Sequence, residues 1–182
     1  MTNPFAILGL PESLVLDPVV IETAWRDLHR DGRDHAGDTA SDRNVARAIL
    51  TDPVDRLACW LGRVDPDGEP ERGISANLMD LFARIGPVLT TIDALLTKHR
   101  KATTALARAV LAKEAVAAQL AIQTLLQEIQ PMKGALTDRF AEFEERARSG
   151  DCREAQRALG ELKFLKRWEE QCRERLLALL GT

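Results

Sequence analysis

The sequence predicts an all-α protein organised as two helical units. Three observations carry that expectation: a helix-forming composition, apolar residues recurring every three to four positions, and one breaker-rich segment near residue 70. Of 182 residues, 45% are hydrophobic, 29% are charged and only 4% are aromatic, with no tyrosine. Alanine, leucine, arginine and glutamate dominate, a mixture that favours helix over strand. The balance of apolar and charged residues excludes a disordered tail, and no apolar run of about 18 residues marks a membrane span. A chain of this length can bury roughly 68–70% of its unfolded surface, so its fold requires neither metal nor disulfide. Cys59, Cys152 and Cys172 are odd in number and never form a C-x-x-C pair, which argues against a disulfide framework or zinc site. With no secretory pattern, the expected compartment is the cytosol.

Each element has local signals. Pro4-Phe5-Ala6-Ile7-Leu8 reads as a short helix stopped by Gly9 and Pro11. Asp17 caps the next helix, because its carboxylate can accept first-turn amides, and Pro18 carries the φ suited to the first helical position. Ile21, Ala24, Trp25 and Leu28 form its apolar stripe, and Gly32 can end it. A polar loop from Arg33 to Asp42 leads to a third helix with Val45, Ala48 and Ile49 expected inward. Asp52-Pro53 repeats the cap-plus-proline device and opens a fourth helix with Val54, Leu57, Ala58 and Leu61.

Asp65-Pro66-Asp67-Gly68-Glu69-Pro70-Glu71-Arg72-Gly73 cannot sustain a helix and is read as a boundary. The expected division is 1–64, a linker over 65–75, and a helical bundle over 76–182. Leu78, Leu81, Phe82 and Ile85 form a stripe interrupted at Gly86-Pro87, and Leu89, Ile92, Leu95 and Leu96 continue it to the basic cluster Lys98-His99-Arg100-Lys101. An alanine-rich helix follows to Gln130, with Pro131 and Gly134 expected to kink or break it. Leu136, Phe140 and Phe143 carry the pattern to Ser149-Gly150. Asp151 then caps a last helix whose Ala158, Leu162, Leu165, Cys172, Leu176 and Leu179 are spaced as the seam of an antiparallel bundle, with Glu169 at one seam position.

Residues 1–75 hold 8 Lys/Arg against 14 Asp/Glu, so the net charge of −3 hides an acidic first part and a mildly basic remainder. Neither part has the strongly basic field of a nucleic-acid binder. His29, His35 and His99 have no nucleophile at a telling spacing, and no phosphate loop, dinucleotide fingerprint or zinc-protease motif occurs. No active site and no cofactor are expected. The informative departure from core packing is on the last helix. At roughly 100° per residue, Phe164 and Trp168 fall to one side of the seam. Two aromatics there either cover a neighbouring helix or form a partner-binding patch, and Met79 lies similarly beside Leu78.

Three stretches carry a resemblance: Asn3-Pro4-Phe5-Ala6-Ile7-Leu8-Gly9-Leu10, Ala24-Trp25-Arg26-Asp27-Leu28, and Asn44 through Asp52-Pro53 to Arg56. They resemble a J-domain. Asn77-Leu78-Met79-Asp80 and Leu162-Lys163-Phe164-Leu165 in the second unit narrow the likeness to the HscB (Jac-type) co-chaperones of iron–sulfur cluster assembly, with the segment around 86–126 longer than usual. The resemblance implies a J-domain-like helical hairpin followed by an antiparallel bundle. It also implies a non-enzymatic adaptor whose partners are a DnaK-type chaperone and an iron–sulfur scaffold protein, with no nucleic-acid or membrane partner.

It further implies which residues would act. Leu78, Met79, Phe82 and Phe164 match the scaffold-binding face in type. Arg26 and Arg30 on the second helix, with Arg33, Asp34 and His35 after it, occupy the chaperone-binding positions. There the family carries a His-Pro-Asp triplet, and counting from Trp25 this chain has Arg33-Asp34-His35 instead. Reading His29-Arg30-Asp31 as the triplet would place it inside the helix and displace Trp25 and Leu28 from the stripe. Glu22, Asp27 and Asp31 offset the second helix's cations, Arg47 stands where the family has an aromatic, and Ala83 to Pro87 replace acidic residues beside the scaffold face. The alternative is therefore a degenerate J-like binding or assembly protein that does not stimulate ATPase activity.

Overall fold

The computed structural model describes residues 3–30, 39–68 and 75–181. Among them the chain is all-α, in the order α1 (Pro4–Ile7), α2 (Pro18–Arg30), α3 (Ala40–Thr51), α4 (Pro53–Val64), α5 (Ala76–Lys101), α6 (Ala105–Thr137), α7 (Phe140–Arg148) and α8 (Arg153–Leu180). It clusters into two compact units, 1–72 with 136–159 and 73–135 with 160–182. The segment 136–159, placed in the bundle by sequence alone, thus packs with the first unit.

The caps of the first unit form where the sequence places them. Asn3 Oδ1 accepts from Phe5 N at 3.1 Å, and Gly9 takes the left-handed conformation at φ +65°. Asp17 Oδ1 accepts from Val19 N at 2.7 Å. Asp52 Oδ1 accepts from Val54 N at 2.8 Å and Asp55 N at 3.2 Å. Thr39 and Asp42 close a reciprocal capping box at the start of α3, satisfying two amides that would otherwise lack partners. Phe5, Leu14, Ile21, Leu50 and Leu57 fill the core, with Phe140 and Phe143 from α7. Glu144 on α7 binds the loop before α2, accepting from Ser13 Oγ at 2.8 Å and from Leu14 N. Arg56 is buried; its guanidinium donates to Leu50 O at 2.9 Å and Leu16 O at 3.4 Å, and lies 5.9 Å from the Phe140 ring centroid.

The third helix corrects an expectation. Val45 is exposed and Ala48 faces solvent, whereas Arg43, Ala46 and Leu50 are buried. Arg43 reaches Leu28 O at 3.3 Å with its guanidinium, so an arginine stem occupies a core position that polarity assigns to the surface. On α2 only Ile21 is fully buried; Ala24, Trp25 and Leu28 are half-buried.

An ion network ties α7 to the start of α8. Arg139 pairs with Glu142 and Glu154, and Arg146 pairs with Asp151 at 2.6 Å and Glu154 at 2.9 Å. Hydrogen bonds from these guanidinium groups hold the carboxyls of Asp151, Glu142 and Glu154 below their ordinary range. A depressed folded-state value means the contribution is present above about pH 4, where the unfolded carboxylates ionise, and is lost as pH falls through the folded values. The urea midpoint of the first unit is therefore expected to fall between neutral and acid pH. Arg146→Ala should flatten that dependence; an unchanged slope would remove the network's role.

In the second unit two prolines fail to stop their helices. α5 runs through Pro87, with Thr90 and Thr91 hydroxyls donating to Gly86 O and Pro87 O, both at 2.9 Å. α6 runs through Pro131 to Thr137, so the expected break there does not occur. A single proline deletes one ladder bond, and long buried faces on both sides outweigh it. The cross-helix pairs fix direction. Arg84–Glu128 and Lys98–Glu114 run in opposite numbering, so α5 and α6 are antiparallel. Ser75–Glu161, Phe82–Trp168 and Asp93–Arg175 rise together, so α5 and α8 are parallel. Leu78, Leu81, Ile85, Leu89, Ile92, Ile122, Leu125, Ile129, Leu162, Leu165, Cys172 and Leu179 form the core. Burial raises the Cys172 thiol above its usual range, which suits an inert core cysteine. Among the described residues no cluster of three or more His, Cys, Asp or Glu could hold a metal ion.

Candidate functional site

In the second unit the site is built from the start of α5 and the middle of α8. Ser75 precedes α5, and its own side chain makes no capping bond. Instead the buried carboxylate of Glu161 on α8 accepts from Ser75 N at 3.0 Å and Ser75 Oγ at 3.2 Å. This pins the first turn of α5 beside α8 and sets their register. One turn on, Met79 and Phe82 share a side of α5, as residues three apart do. Phe164 and Trp168, four apart, share a side of α8.

The Trp168 ring lies between two phenyl rings. Its centroid is 5.9 Å from that of Phe82 and 6.0 Å from that of Phe164, both tilted at 36°. These are contact distances for tilted aromatic pairs. Trp168 is 7% exposed, whereas Phe164 is 43%, Met79 51% and Phe82 59% exposed. The indole is thus a buried platform carrying two solvent-facing rings from different helices. Three large apolar side chains exposed together on a rigid support are unusual for a surface that stays in water, and they are the type that anchors partners.

Of the four residues expected on this face, the structure brings Phe82 and Phe164 together through Trp168 and leaves Met79 exposed on the same side of α5. Leu78 is 1% exposed and belongs to the core. Trp168 answers the sequence ambiguity in an unforeseen way: it covers the neighbouring helix while Phe164 remains exposed. Lys163 and Arg167, exposed beside Phe164 on α8, make no ion pair among the described residues. Sequence reasoning named Lys163 only within the Leu162-Lys163-Phe164-Leu165 stretch and passed over Arg167; at about 100° per residue both lie on the side of Phe164 away from Trp168. Arg84, where an acidic residue was expected, pairs with Glu128 on α6.

The candidate surface of the first unit is the outer side of α2. Glu22 binds Arg26 at 3.2 Å and Arg47 of α3 at 2.7 Å, and Asp27 binds Arg30 at 2.8 Å. Arg47 also places its guanidinium carbon 4.4 Å from the Trp25 ring centroid, a cation–π contact. Trp25 Nε1 donates to Asn44 Oδ1 at 3.0 Å, locking α2 to α3. The cations of this surface are therefore engaged by neighbouring carboxylates. Arg33, Asp34 and His35 lie outside the described residues.

No family model matches the chain, and no curated protein matches it. Among solved structures, the chaperone HscB from Vibrio cholerae matches with a TM-score of 0.53 at 19% identity, covering 95% of this chain and 96% of that one. Over nearly its whole length, then, the chain is similar in fold to that chaperone.

Proposed function

We propose that the chain is an HscB-like co-chaperone adaptor, holding an iron–sulfur scaffold protein on its second unit while its first unit meets a DnaK-type chaperone ATPase. The observation that carries this reading is the exposed pair Phe82 and Phe164 seated on buried Trp168, with Met79 beside them. Such a face binds by burying apolar area rather than by chemistry, which accords with an adaptor that has no catalytic step. Lys163 and Arg167 beside it favour a partner surface with carboxylates around an apolar centre, and their exposure makes the interaction salt-sensitive.

The test is calorimetric titration of the organism's iron–sulfur scaffold protein into the full chain. Phe82→Ala and Phe164→Ala are each expected to weaken binding by about 1–2 kcal/mol, roughly five- to thirty-fold. Their stability cost should be about 1–2 kcal/mol, well below that of a fully buried ring, because Phe82 and Phe164 are each only about half-buried. An unmodified chain that neither binds the scaffold nor raises the chaperone's ATPase rate would end this reading.

A second reading has its own support: a J-like binding or assembly module that does not stimulate ATPase activity. The ion pairs that engage Arg26, Arg30 and Arg47 favour it, as does Arg33-Asp34-His35 in place of the family triplet. The triple substitution Arg33→His, Asp34→Pro, His35→Asp separates the two. Gained stimulation means that docking persists and only the trigger was altered. Continued silence, with scaffold binding intact, leaves the module reading.

A further inference from the structure

The tip of the α5–α6 hairpin carries a feature that scaffold binding does not use. From Ala94 to Lys113 there are five cations, Lys98, Arg100, Lys101, Arg108 and Lys113, and no Asp or Glu. All five are exposed. The adjoining half of α6 buries Ala115, Ile122 and Leu125 on its inner side. On its outer side Leu106, Val110, Val116 and Leu120 are 76%, 57%, 56% and 60% exposed. At roughly 100° per residue these four, with Ala109, Lys113 and Ala117, share one face spanning about 21 Å. Lys113 is the only charge on it. The helical stretch 105–148 is apolar enough that its best 18-residue window has a mean hydropathy of 1.3, yet only 22% of that window is buried. Alanines raise that mean while Lys113 and Glu114 break any continuous apolar run, so a search for unbroken runs misses it.

We infer that this tip docks on a negatively charged lipid bilayer surface, lying in the interface rather than crossing it. The inner face of α6 is committed to the unit's own core, so only the outer face is available to lipid. An amphipathic helix with an apolar outer stripe and basic flanks is the form that interfacial binding takes. Clustered lysine and arginine supply the attraction to anionic headgroups. A nucleic acid would use the five cations but leave Leu106 and Val110 unrewarded, and from 94 to 120 the chain has no Phe, Tyr or Trp on which bases could stack. A second copy of the chain is disfavoured by position: Lys113 is midway between Leu106 and Leu120, so an antiparallel pairing of the two stripes would oppose lysine to lysine.

The test is co-sedimentation of the full chain with phosphatidylcholine vesicles containing about 30 mol% phosphatidylglycerol, at about 0.1 M salt. Binding is expected there and should be about tenfold weaker on pure phosphatidylcholine. Leu106→Ser with Val110→Ser and Leu120→Ser, and separately Arg100→Gln with Lys101→Gln, should each weaken it by about tenfold. All five positions are exposed, and circular dichroism of both variants verifies the helices. Absence of binding to the mixed vesicles would overturn the inference. So would an unchanged affinity of the serine variant, which would mean adsorption by charge alone. Tighter binding to a DNA duplex than to the mixed vesicles, or a dimer dissolved by the serine substitutions, would assign the face to those partners instead.

Discussion

Trp168→Ala is expected to destabilise the second unit by about 3–5 kcal/mol, the range for truncating a buried tryptophan. The indole is 7% exposed and contacts rings from two helices. Removing it deletes the apolar area it buries and leaves a cavity under Phe82 and Phe164 that α5 and α8 cannot close without shifting their register. That register is held on one side by the Glu161 bonds to Ser75 and on the other by the Arg175–Asp93 pair, which has two hydrogen bonds of 2.9 Å. Urea denaturation of the full chain measures the loss. Trp168→Phe should recover much of it, because a phenyl ring fills most of the volume. The comparison with Phe82→Ala and Phe164→Ala separates support from contact. The half-buried rings should cost markedly less stability than the indole while still costing partner affinity, whereas Trp168 should cost both heavily. If Trp168→Ala left stability within about 1 kcal/mol of the parent, the indole would not be a buried platform.

This division of labour shows what the sequence made legible. Asp17-Pro18 and Asp52-Pro53 announced their helix starts because capping is local chemistry written in adjacent residues. The inward stripe of α5 was equally plain at Leu78, Leu81, Ile85, Leu89 and Ile92. Phe164 and Trp168 differ by only about 40° around α8, and that angle cannot say which one a neighbour covers. The answer depends on α8 running parallel to α5, which no local signal specifies. Arg43 was obscured for another reason: it is a charged group in a buried position, admitted because Leu28 O meets its guanidinium. The spacing of α8 did place Glu169 on the seam, but no local signal named Lys133 and Gln130 as the partners that let it stay there. The exposed face of α6 was hidden by its own alanines, which blur the contrast between the two sides of a helix.

Lys133→Met is expected to destabilise the second unit by about 3 kcal/mol, at the lower end of the range for breaking a buried ion pair. Glu169 occupies a seam position that leucine or alanine would ordinarily fill, and it is 4% exposed. Its carboxylate accepts from Lys133 Nζ at 2.5 Å, from Gln130 Nε2 at 2.8 Å, and from Arg173 one turn along α8. Lys133 is the better-buried of the two cations, at 20% side-chain exposure against 64% for Arg173. Its removal therefore leaves a desolvated carboxylate that Arg173 compensates only in part. Glu169→Leu with Lys133→Met removes both charges and supplies a seam residue, so the double variant should lie within about 1 kcal/mol of the parent or exceed it. The large coupling between two substitutions, read from urea midpoints across the full double-mutant cycle, is the signature sought. Additive costs would mean the pair is solvated and not part of the core. The network also locates a specificity role: Gln130 and Lys133 lie on either side of Pro131 in α6, so meeting Glu169 fixes how that stretch of α6 aligns with α8. The double variant should accordingly keep stability while broadening the amide spectrum of the α6–α8 contact, and an unchanged spectrum would reduce Glu169 to a tolerated burial with no bearing on alignment.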